Sequence, residues 1–304
     1  MFITQPGRIS PHVHFAGNRM ICNYIIAAKK QLILLDAGLT LSAVILEQQI
    51  NRLQTGNCRL QAVYLTHSHY DHLGSVPYLM KKFPGLQTGA HPVAQEVMHN
   101  PKAVKLMQAL NEESEKKYAH LIRLPPEAKF RPFLIDRIFR DQEIIYPDDT
   151  ISMQIIYMPG HSRDSIAFYI LPDKVLYCSD GIGVPTPTGF IQATFLSNYD
   201  DYLASLYKLQ KLDIDILALP HTGVIKGRTD IQTHFAGSID ETVALRERIA
   251  RYLTEFDGEV EKVTRRIAEE DIEKHQIIQP REAFIINLKA MVVKTKRDIE
   301  TGLL

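Results

Sequence analysis

The stretch Thr66-His67-Ser68-His69-Tyr70-Asp71-His72 sets three imidazoles and a carboxylate almost side by side in the chain. An apolar run at residues 62–66 leads into it and reads as a strand. Residues 73–83 follow with helical spacing and stop at Pro84-Gly85. Nitrogen and oxygen donors in this mixture suit zinc, iron, manganese or cobalt. At strand-like spacing, His67 and His69 are expected to leave the strand end on one side. Asp71 and His72 fall on the turn into the helix, where they can address a second ion. Structural sites usually draw on cysteines in two separated pairs, so ligands this close together point to a site with open positions.

More ligands of the same kind terminate later strands. Pro159-Gly160-His161-Ser162 closes an apolar run at residues 151–158. Cys178-Ser179-Asp180-Gly181 closes one at 175–177, and Leu219-Pro220-His221-Thr222-Gly223 closes one at 214–218. Gly or Pro at each ending lets the chain leave the sheet, so the polar side chains can meet at one edge. A single histidine at a strand end is ordinarily a surface residue; several endings of this kind after one dense cluster make a set. His12 and His14 also alternate on an apolar stretch, but no carboxylate or further histidine stands beside them in sequence. Cys178 reads as a small buried hydrophobe.

The chain has 304 residues, 45% of them hydrophobic, which suffices for a substantial core. Lys and Arg number 35 and so do Asp and Glu, giving a formal net charge of zero. That balance offers no basic footprint for nucleic acid and no polybasic face for anionic lipid. Three scattered cysteines do not make a disulfide framework. The first residues lack the basic and apolar regions of a signal peptide, and no apolar run nears the ~20 residues of a membrane span. The expectation is a cytoplasmic globular protein with a small-molecule partner, and no nucleic acid or membrane.

Strand and helix signals alternate over the first third. Apolar runs occupy residues 21–27 and 31–35, the second ending at Asp36-Ala37-Gly38, and helical spacing over 41–53 follows where Thr40 or Ser42 can cap it. Residues 92–129 are helix-rich and charged. Within them Glu112-Glu113-Ser114-Glu115-Lys116-Lys117 reads as a solvated face, with a lid as the functional alternative. Strand patterns return at 151–158, 165–171 and 175–178. A Gly-, Pro- and Thr-rich loop at 181–199 carries Phe190, Phe195 and Tyr199. A helix at 200–212 and a strand at 214–219 come next. Beyond about residue 228 only helices are predicted, at 238–256, 259–274 and 280–300. The expected organisation is an α/β body over residues 1–235 and a C-terminal helical cap, 236–304, packed on the active-site edge.

Taken in order, His67, His69, Asp71, His72, His161, Asp180 and His221 resemble the dinuclear ligand set of the metallo-β-lactamase superfamily. Asp36, in Leu35-Asp36-Ala37-Gly38, resembles the carboxylate of that superfamily's first motif. The resemblance spans roughly residues 8–228. It implies an α/β fold, a four-layer αβ/βα sandwich, with two divalent metal ions (zinc, iron or manganese) at one edge. By this likeness one ion takes His67, His69 and His161, the other takes Asp71, His72 and His221, and Asp180 bridges them. Asp71 and Asp180 are then the catalytic carboxylates, while Asp36 orients the ligand shell.

A bridging aspartate argues against true β-lactamases. Val76-Pro77-Tyr78-Leu79, Phe168-Tyr169 and Tyr202-Leu203-Ala204-Ser205-Leu206 draw the likeness toward PqsE-like and glyoxalase II-like thioesterases. Val184-Pro185-Thr186-Pro187-Thr188-Gly189 has no counterpart there. The implied reaction is attack of a metal-bridging hydroxide on an acyl substrate, with a thioester preferred. The rivals are a lactonase, a phosphodiesterase and a regulatory binding protein with weak hydrolase activity; a homodimer is compatible with all of them. Phe190, Phe195 and Tyr199 are candidates for an acyl pocket, and Lys226 and Arg228 for the anionic groups of a carrier thiol. The plainer readings are packing under the cap and a solvated pair at a helix start. Two divalent ions, two carboxylates and a hydroxide leave such a site about one charge positive, which zero net charge conceals.

Overall fold

Apolar runs without polar alternation call for strands that are buried on both faces, and the strands at residues 22–27 and 31–35 are of that kind. The computed structural model describes residues 1–277 and 279–302. In chain order its elements begin with β1 (Phe2–Ile3), β2 (Gly7–Arg8), β3 (Val13–Gly17), β4 (Cys22–Ala27), β5 (Gln31–Leu35), α1 (Ala43–Leu53) and β6 (Arg59–Tyr64). There follow α2 (Tyr70–Leu73), α3 (Val76–Lys82), β7 (Gln87–Ala90), α4 (Pro92–Met98), α5 (Pro101–Tyr118), β8 (Arg137–Ile138) and β9 (Ile144–Ile145). Next come β10 (Ser152–Tyr157), β11 (Ile166–Leu171), β12 (Val175–Tyr177), β13 (Val184–Pro185), β14 (Ile191–Gln192) and α6 (Tyr199–Gln210). The chain continues through β15 (Ile216–Ala218), β16 (Val224–Lys226), α7 (Arg228–Glu255), α8 (Val260–His275) and α9 (Arg281–Glu300).

These elements gather into two units. One comprises Met1–Tyr157, Ile166–Cys178 and Ile214–Lys226; the other comprises Met158–Ser165, Ser179–Asp213 and the chain from Gly227 onwards. The first unit holds two seven-stranded sheets, ordered β2-β3-β4-β5-β6-β7-β8 and β1-β16-β15-β12-β11-β10-β9. The first sheet is antiparallel from β2 to β5 and parallel from β5 to β8. In the second sheet only β12 and β15 pair in parallel.

Side chains alternate across each strand, so one face of each sheet meets the other sheet. Tyr24 and Ile26 of β4, Ile33 and Leu35 of β5, and Tyr64 of β6 share one core with Met153, Ile155, Phe168, Ile170 and Tyr177. The intervening residues Ile25, Leu32, Leu34 and Val63 face a second core with Leu46 and Ile50 of α1 and Val76 and Leu79 of α3. That second core explains why β4 and β5 read as unbroken apolar runs. The second unit contains the β13–β14 hairpin and α6 to α9. Within it, α7 runs unbroken past residues 235 and 236, and Arg248 grips Asp271 of α8 through two hydrogen bonds of 2.7 and 2.5 Å. Among the described residues no helix is long and apolar enough to cross a membrane.

Several local expectations shift for identifiable reasons. Helix α1 starts at Ala43 after a 3₁₀ turn, and neither Thr40 nor Ser42 caps it. Thr40 instead donates its hydroxyl to Glu115, while its N–H bonds Asn111 Oδ1. Strand β6 ends at Tyr64, so His67 and His69 lie on an extended loop and not on the strand. Helix α7 begins ten residues before the expected start at 238, at Arg228. The long loop 181–199 holds a 3₁₀ turn at Asp180–Ile182 and the short hairpin. His12 gains a carboxylate the sequence did not suggest: its Nδ1 lies 2.8 Å from Asp173 Oδ1.

Phe168 is fully buried and its ring meets both Tyr64 and Phe139 across the sandwich. Replacing it with alanine is expected to cost about 3–5 kcal/mol, as deletion of a buried aromatic does. Urea denaturation of Phe168→Ala checks this; a loss below ~1 kcal/mol would mean that the two sheets do not depend on this contact.

Candidate metal centre

The His-rich segment is shaped by Asp36, the residue that follows β5. Asp36 is fully buried and adopts the left-handed conformation, φ 55°, which a non-glycine residue seldom takes. The surrounding bonds hold it there. Oδ1 accepts the Thr66 N–H at 2.7 Å; Oδ2 accepts the Thr66 hydroxyl at 2.7 Å, His72 Nδ1–H at 2.8 Å and the Tyr177 hydroxyl at 2.6 Å. Tyr177 comes from β12 in the opposite sheet. Burial, with the Asp36 carboxylate next, pushes its phenol well above the ordinary range, so it remains a donor.

These bonds dictate which nitrogen each imidazole has left for a metal. His72 spends Nδ1–H on Asp36, leaving Nε2. The Thr66 hydroxyl donates to Asp36, so its oxygen accepts from His67 Nδ1 at 3.1 Å. His161 Nδ1 donates to the Thr194 carbonyl at 2.9 Å, and His221 Nδ1 to the Met20 carbonyl at 2.7 Å. Four histidines therefore present Nε2 lone pairs, the arrangement in which a ligating imidazole is held by its other nitrogen.

The rings are close. His67 lies 4.4 Å from His69 and 4.1 Å from His72, and His72 lies 5.7 Å from His221, centroid to centroid. His221 Nε2 is 3.8 Å from Asp71 Oδ2, and His161 Nε2 is 3.8 Å from Asp180 Oδ2. Two candidate ligand groups result, His67–His69–His161 and Asp71–His72–Asp180–His221; within each, one donor atom per residue lies within 4.8 Å of the others. All seven residues singled out by sequence fall in one group or the other. Imidazole and carboxylate without thiolate fits zinc, iron or manganese.

Backbone geometry explains the glycines beside two of these histidines. Gly160 has φ 123°, and a Cβ there would stand 2.3 Å from the Tyr202 backbone. Gly223 has φ 139°, and a Cβ would stand 2.1 Å from the Ile3 carbonyl oxygen. Only glycine lets the chain turn at these points. The Asp180 turn is tied by its own neighbours. Ser179 Oγ accepts from Gly181 N–H, Thr194 donates its hydroxyl to the Asp180 carbonyl at 2.9 Å, and His234 Nε2 donates to the Ile182 carbonyl at 3.0 Å. Thr66 heads the His-rich stretch but was given no role by sequence, and His234, Thr194 and Tyr177 were not singled out, because none of these three lies in a metal-ligand motif.

The other candidates are placed differently. Phe195 is fully buried against Tyr199 and Tyr202, and Phe190 stacks on His275 at 3.8 Å. Lys226 is half-buried at the end of β16, and exposed Arg228 pairs with Asp213 at 2.5 Å. Cys178 is fully buried, and burial holds its thiol well above the ordinary range.

Asp36→Asn is nearly isosteric but cannot accept the same set of donors. Its metal affinity is expected to fall about 10- to 100-fold, the usual effect of losing an outer carboxylate. Competition against a chromogenic chelator measures this, and unchanged affinity would remove Asp36 from the ligand-orienting role. His234 supplies a test in acid. Burial pushes its pKa down from 6.5 to about 4, the bond to Ile182 opposing only in part. Between those values the unfolded chain binds a proton that the folded one excludes, so stability rises with pH across the window and is lost on acidification. His234→Gln keeps a donor without titrating, and should flatten the stability profile from pH 6.5 to pH 4 by about 3 kcal/mol. Denaturation at both pH values would show parallel profiles if His234 were not the group responsible.

Comparison with known proteins agrees with this geometry. The family model described as metallo-beta-lactamase superfamily matches residues 17–221. A hydroxyacylglutathione hydrolase of Haemophilus influenzae is 27% identical over 184 residues, 58% of this chain and 75% of that protein. An atrochrysone carboxyl ACP thioesterase of Aspergillus fumigatus is 23% identical over 168 residues, 55% of this chain, and the match spans only 40% of that protein. A solved metallo-beta-lactamase family protein of Thermus thermophilus superposes with a TM-score of 0.66 over 97% of this chain and 95% of that one, at 18% identity, a likeness of fold. With its two sheets, its helical C-terminal region and its paired His/Asp groups, this chain belongs to the metallo-β-lactamase superfamily.

Proposed function

We propose that the protein is a metal-dependent hydrolase of acyl compounds, with thioesters as its preferred substrates. The observation that carries this reading is the orientation of the imidazoles: His67, His72, His161 and His221 each commit Nδ1 to an oxygen and keep Nε2 for a ligand. In this reading His67, His69 and His161 would hold one divalent ion and Asp71, His72 and His221 a second, with the Asp180 carboxylate available to both. When bound, such a pair supplies Lewis acidity and lowers the pKa of water. Among the relatives, the ACP thioesterase is named for thioester cleavage and the other for hydrolysis of an acylglutathione, itself a thioester, which supports that substrate class.

The chain's own residues then have distinct tasks. Asp36, through Thr66 and His72, prevents the imidazoles from turning and so keeps their lone pairs convergent. The Asp71 and Asp180 carboxylates orient the attacking water and accept its proton. The water oxygen bonds to the acyl carbon, the carbon–sulfur bond breaks, and the sulfur leaves as thiolate. A thiol has a pKa near 8.5, so that departure needs little protonation and no dedicated general acid.

The test is a substrate panel with protein of measured metal content: acyl-CoA, acyl-glutathione, homoserine lactone and a nitrophenyl phosphodiester. Thioesters are expected to turn over fastest. Chelation should abolish turnover, and metal should restore it. Asp180→Asn and His221→Ala should each lower kcat/KM at least about 100-fold. Faster lactone opening would make the protein a lactonase. Turnover of none of the four with metal bound would leave a binding protein.

A further inference from the structure

Two fully buried tyrosines meet between the sheets. Tyr24 lies on β4 of the first sheet and Tyr177 at the end of β12 in the second, and both belong to the core that the sheets share. Their rings are 4.8 Å apart, tilted by 53°, and Phe15 of the adjacent strand β3 stacks on Tyr24 at 5.6 Å. Phenylalanine would fill the same space without a hydroxyl to desolvate, so a tyrosine is favourable at either position only if its hydroxyl has a partner. Burial pushes both phenols well above the ordinary range, which keeps them protonated and able to donate.

Each hydroxyl crosses to the other sheet. Tyr177, from the second sheet, donates to Asp36 at 2.6 Å just past β5 of the first, where Asp36 also takes His72 Nδ1–H and, through Thr66, sets His67. Tyr24, from the first sheet, donates to the Leu219 carbonyl at 2.8 Å, with the Gly223 carbonyl at 3.1 Å. Those two carbonyls bracket His221. The Leu219 N–H closes the turn on the Gly223 carbonyl at 3.0 Å, and Thr222 inside it takes the left-handed conformation, φ 74°, which a β-branched residue adopts only when held. Further bonds to this turn come from the same short stretch of the first sheet. The Thr222 N–H donates to the Arg19 carbonyl at 2.8 Å, His221 Nδ1 to the Met20 carbonyl at 2.7 Å, and the Cys22 N–H to the Pro220 carbonyl at 2.8 Å.

We propose that Tyr24 and Tyr177 are a reciprocal pair of positioning residues for the metal centre, each fixing the ligand turn that the other sheet carries. Tyr24 acts on one candidate ligand, His221. Tyr177 acts through Asp36 on two, His72 directly and His67 by way of Thr66. The two hydroxyls therefore differ in reach: Tyr24 serves only the Asp71–His72–Asp180–His221 group, whereas Tyr177 serves that group and His67–His69–His161. The proposal rests on the metal-binding reading above and adds which hydroxyl governs which group.

Titration of the metal-free protein with Co²⁺ tests this, read by the visible absorption bands of the bound ion and by competition with a chromogenic chelator. His69→Ala and Asp71→Asn, one from each group, assign the two binding steps. Tyr24→Phe keeps the ring; it should weaken the step of the Asp71 group about 10- to 100-fold and leave the other unchanged. Tyr177→Phe should weaken both. Phe15→Leu trims the ring stacked on Tyr24 but removes no hydroxyl, so it should lower the Tm of the metal-free protein and shift neither step. Equal weakening of both steps in Tyr24→Phe, or unchanged affinities in either tyrosine variant, would overturn the proposal. So would Phe15→Leu reproducing the Tyr24→Phe pattern, since packing alone would then account for it. If the wild-type protein takes up two Co²⁺ with these dependences and turns over no thioester, the thioester reading fails and the tyrosine pair stands. If it takes up no Co²⁺, the metal reading fails and the pair's assignment falls with it.

Discussion

A carboxylate cannot be buried without partners, and the Asp36 carboxylate obtains all of its partners from segments that the site needs in place. Thr66 leads the histidine loop, His72 sits in that loop, and Tyr177 belongs to the other sheet of the sandwich. Removing any of these donors would leave a buried charge short of a bond, so the left-handed backbone at Asp36 is tolerated as the lesser cost. One side chain thereby locks two strand ends together and selects the tautomers of His72 and, through Thr66, of His67.

The remaining candidate ligands among the histidines are oriented by a different device. His161 and His221 each donate Nδ1–H to a backbone carbonyl, of Thr194 and Met20, rather than to a carboxylate. A carbonyl holds a ring without adding charge. Negative charge near the candidate ligands is then concentrated on Asp71, Asp180 and the buried Asp36, where divalent ions would draw on it. The Asp180 turn is held by Ser179, Thr194 and the neutral ring of His234. Neutral donors keep Asp180 in position without competing for its charge.

Much of this was legible in the sequence, for reasons tied to particular residues. The density of His67, His69, Asp71 and His72 has few structural explanations, and the later endings at His161, Asp180 and His221 repeat one grammar of strand, turn and ligand. The apolar runs of β4 and β5 were plain because both of their faces are covered. Boundaries were less legible. Strand β6 stops at Tyr64, and two residues on Thr66 gives its N–H and hydroxyl to the Asp36 side chain while its carbonyl accepts from Ile166 of β11. Helix α7 hides its start because its inward face carries His234 and Ser238, and polar residues at helical spacing read as a solvated face until burial is known.

Sequence by itself therefore determined the candidate ligand types, their order and the α/β pattern, since these follow from residue chemistry and local periodicity. Tertiary structure alone decided which nitrogen of each histidine is spent, that Tyr177 reaches Asp36 from the opposite sheet, and that α7 buries a polar line. Each of these depends on partners far apart in the chain, such as Tyr177 with Asp36 or His221 with Met20. Periodicity describes a segment's own faces and holds no information about what will be packed against them.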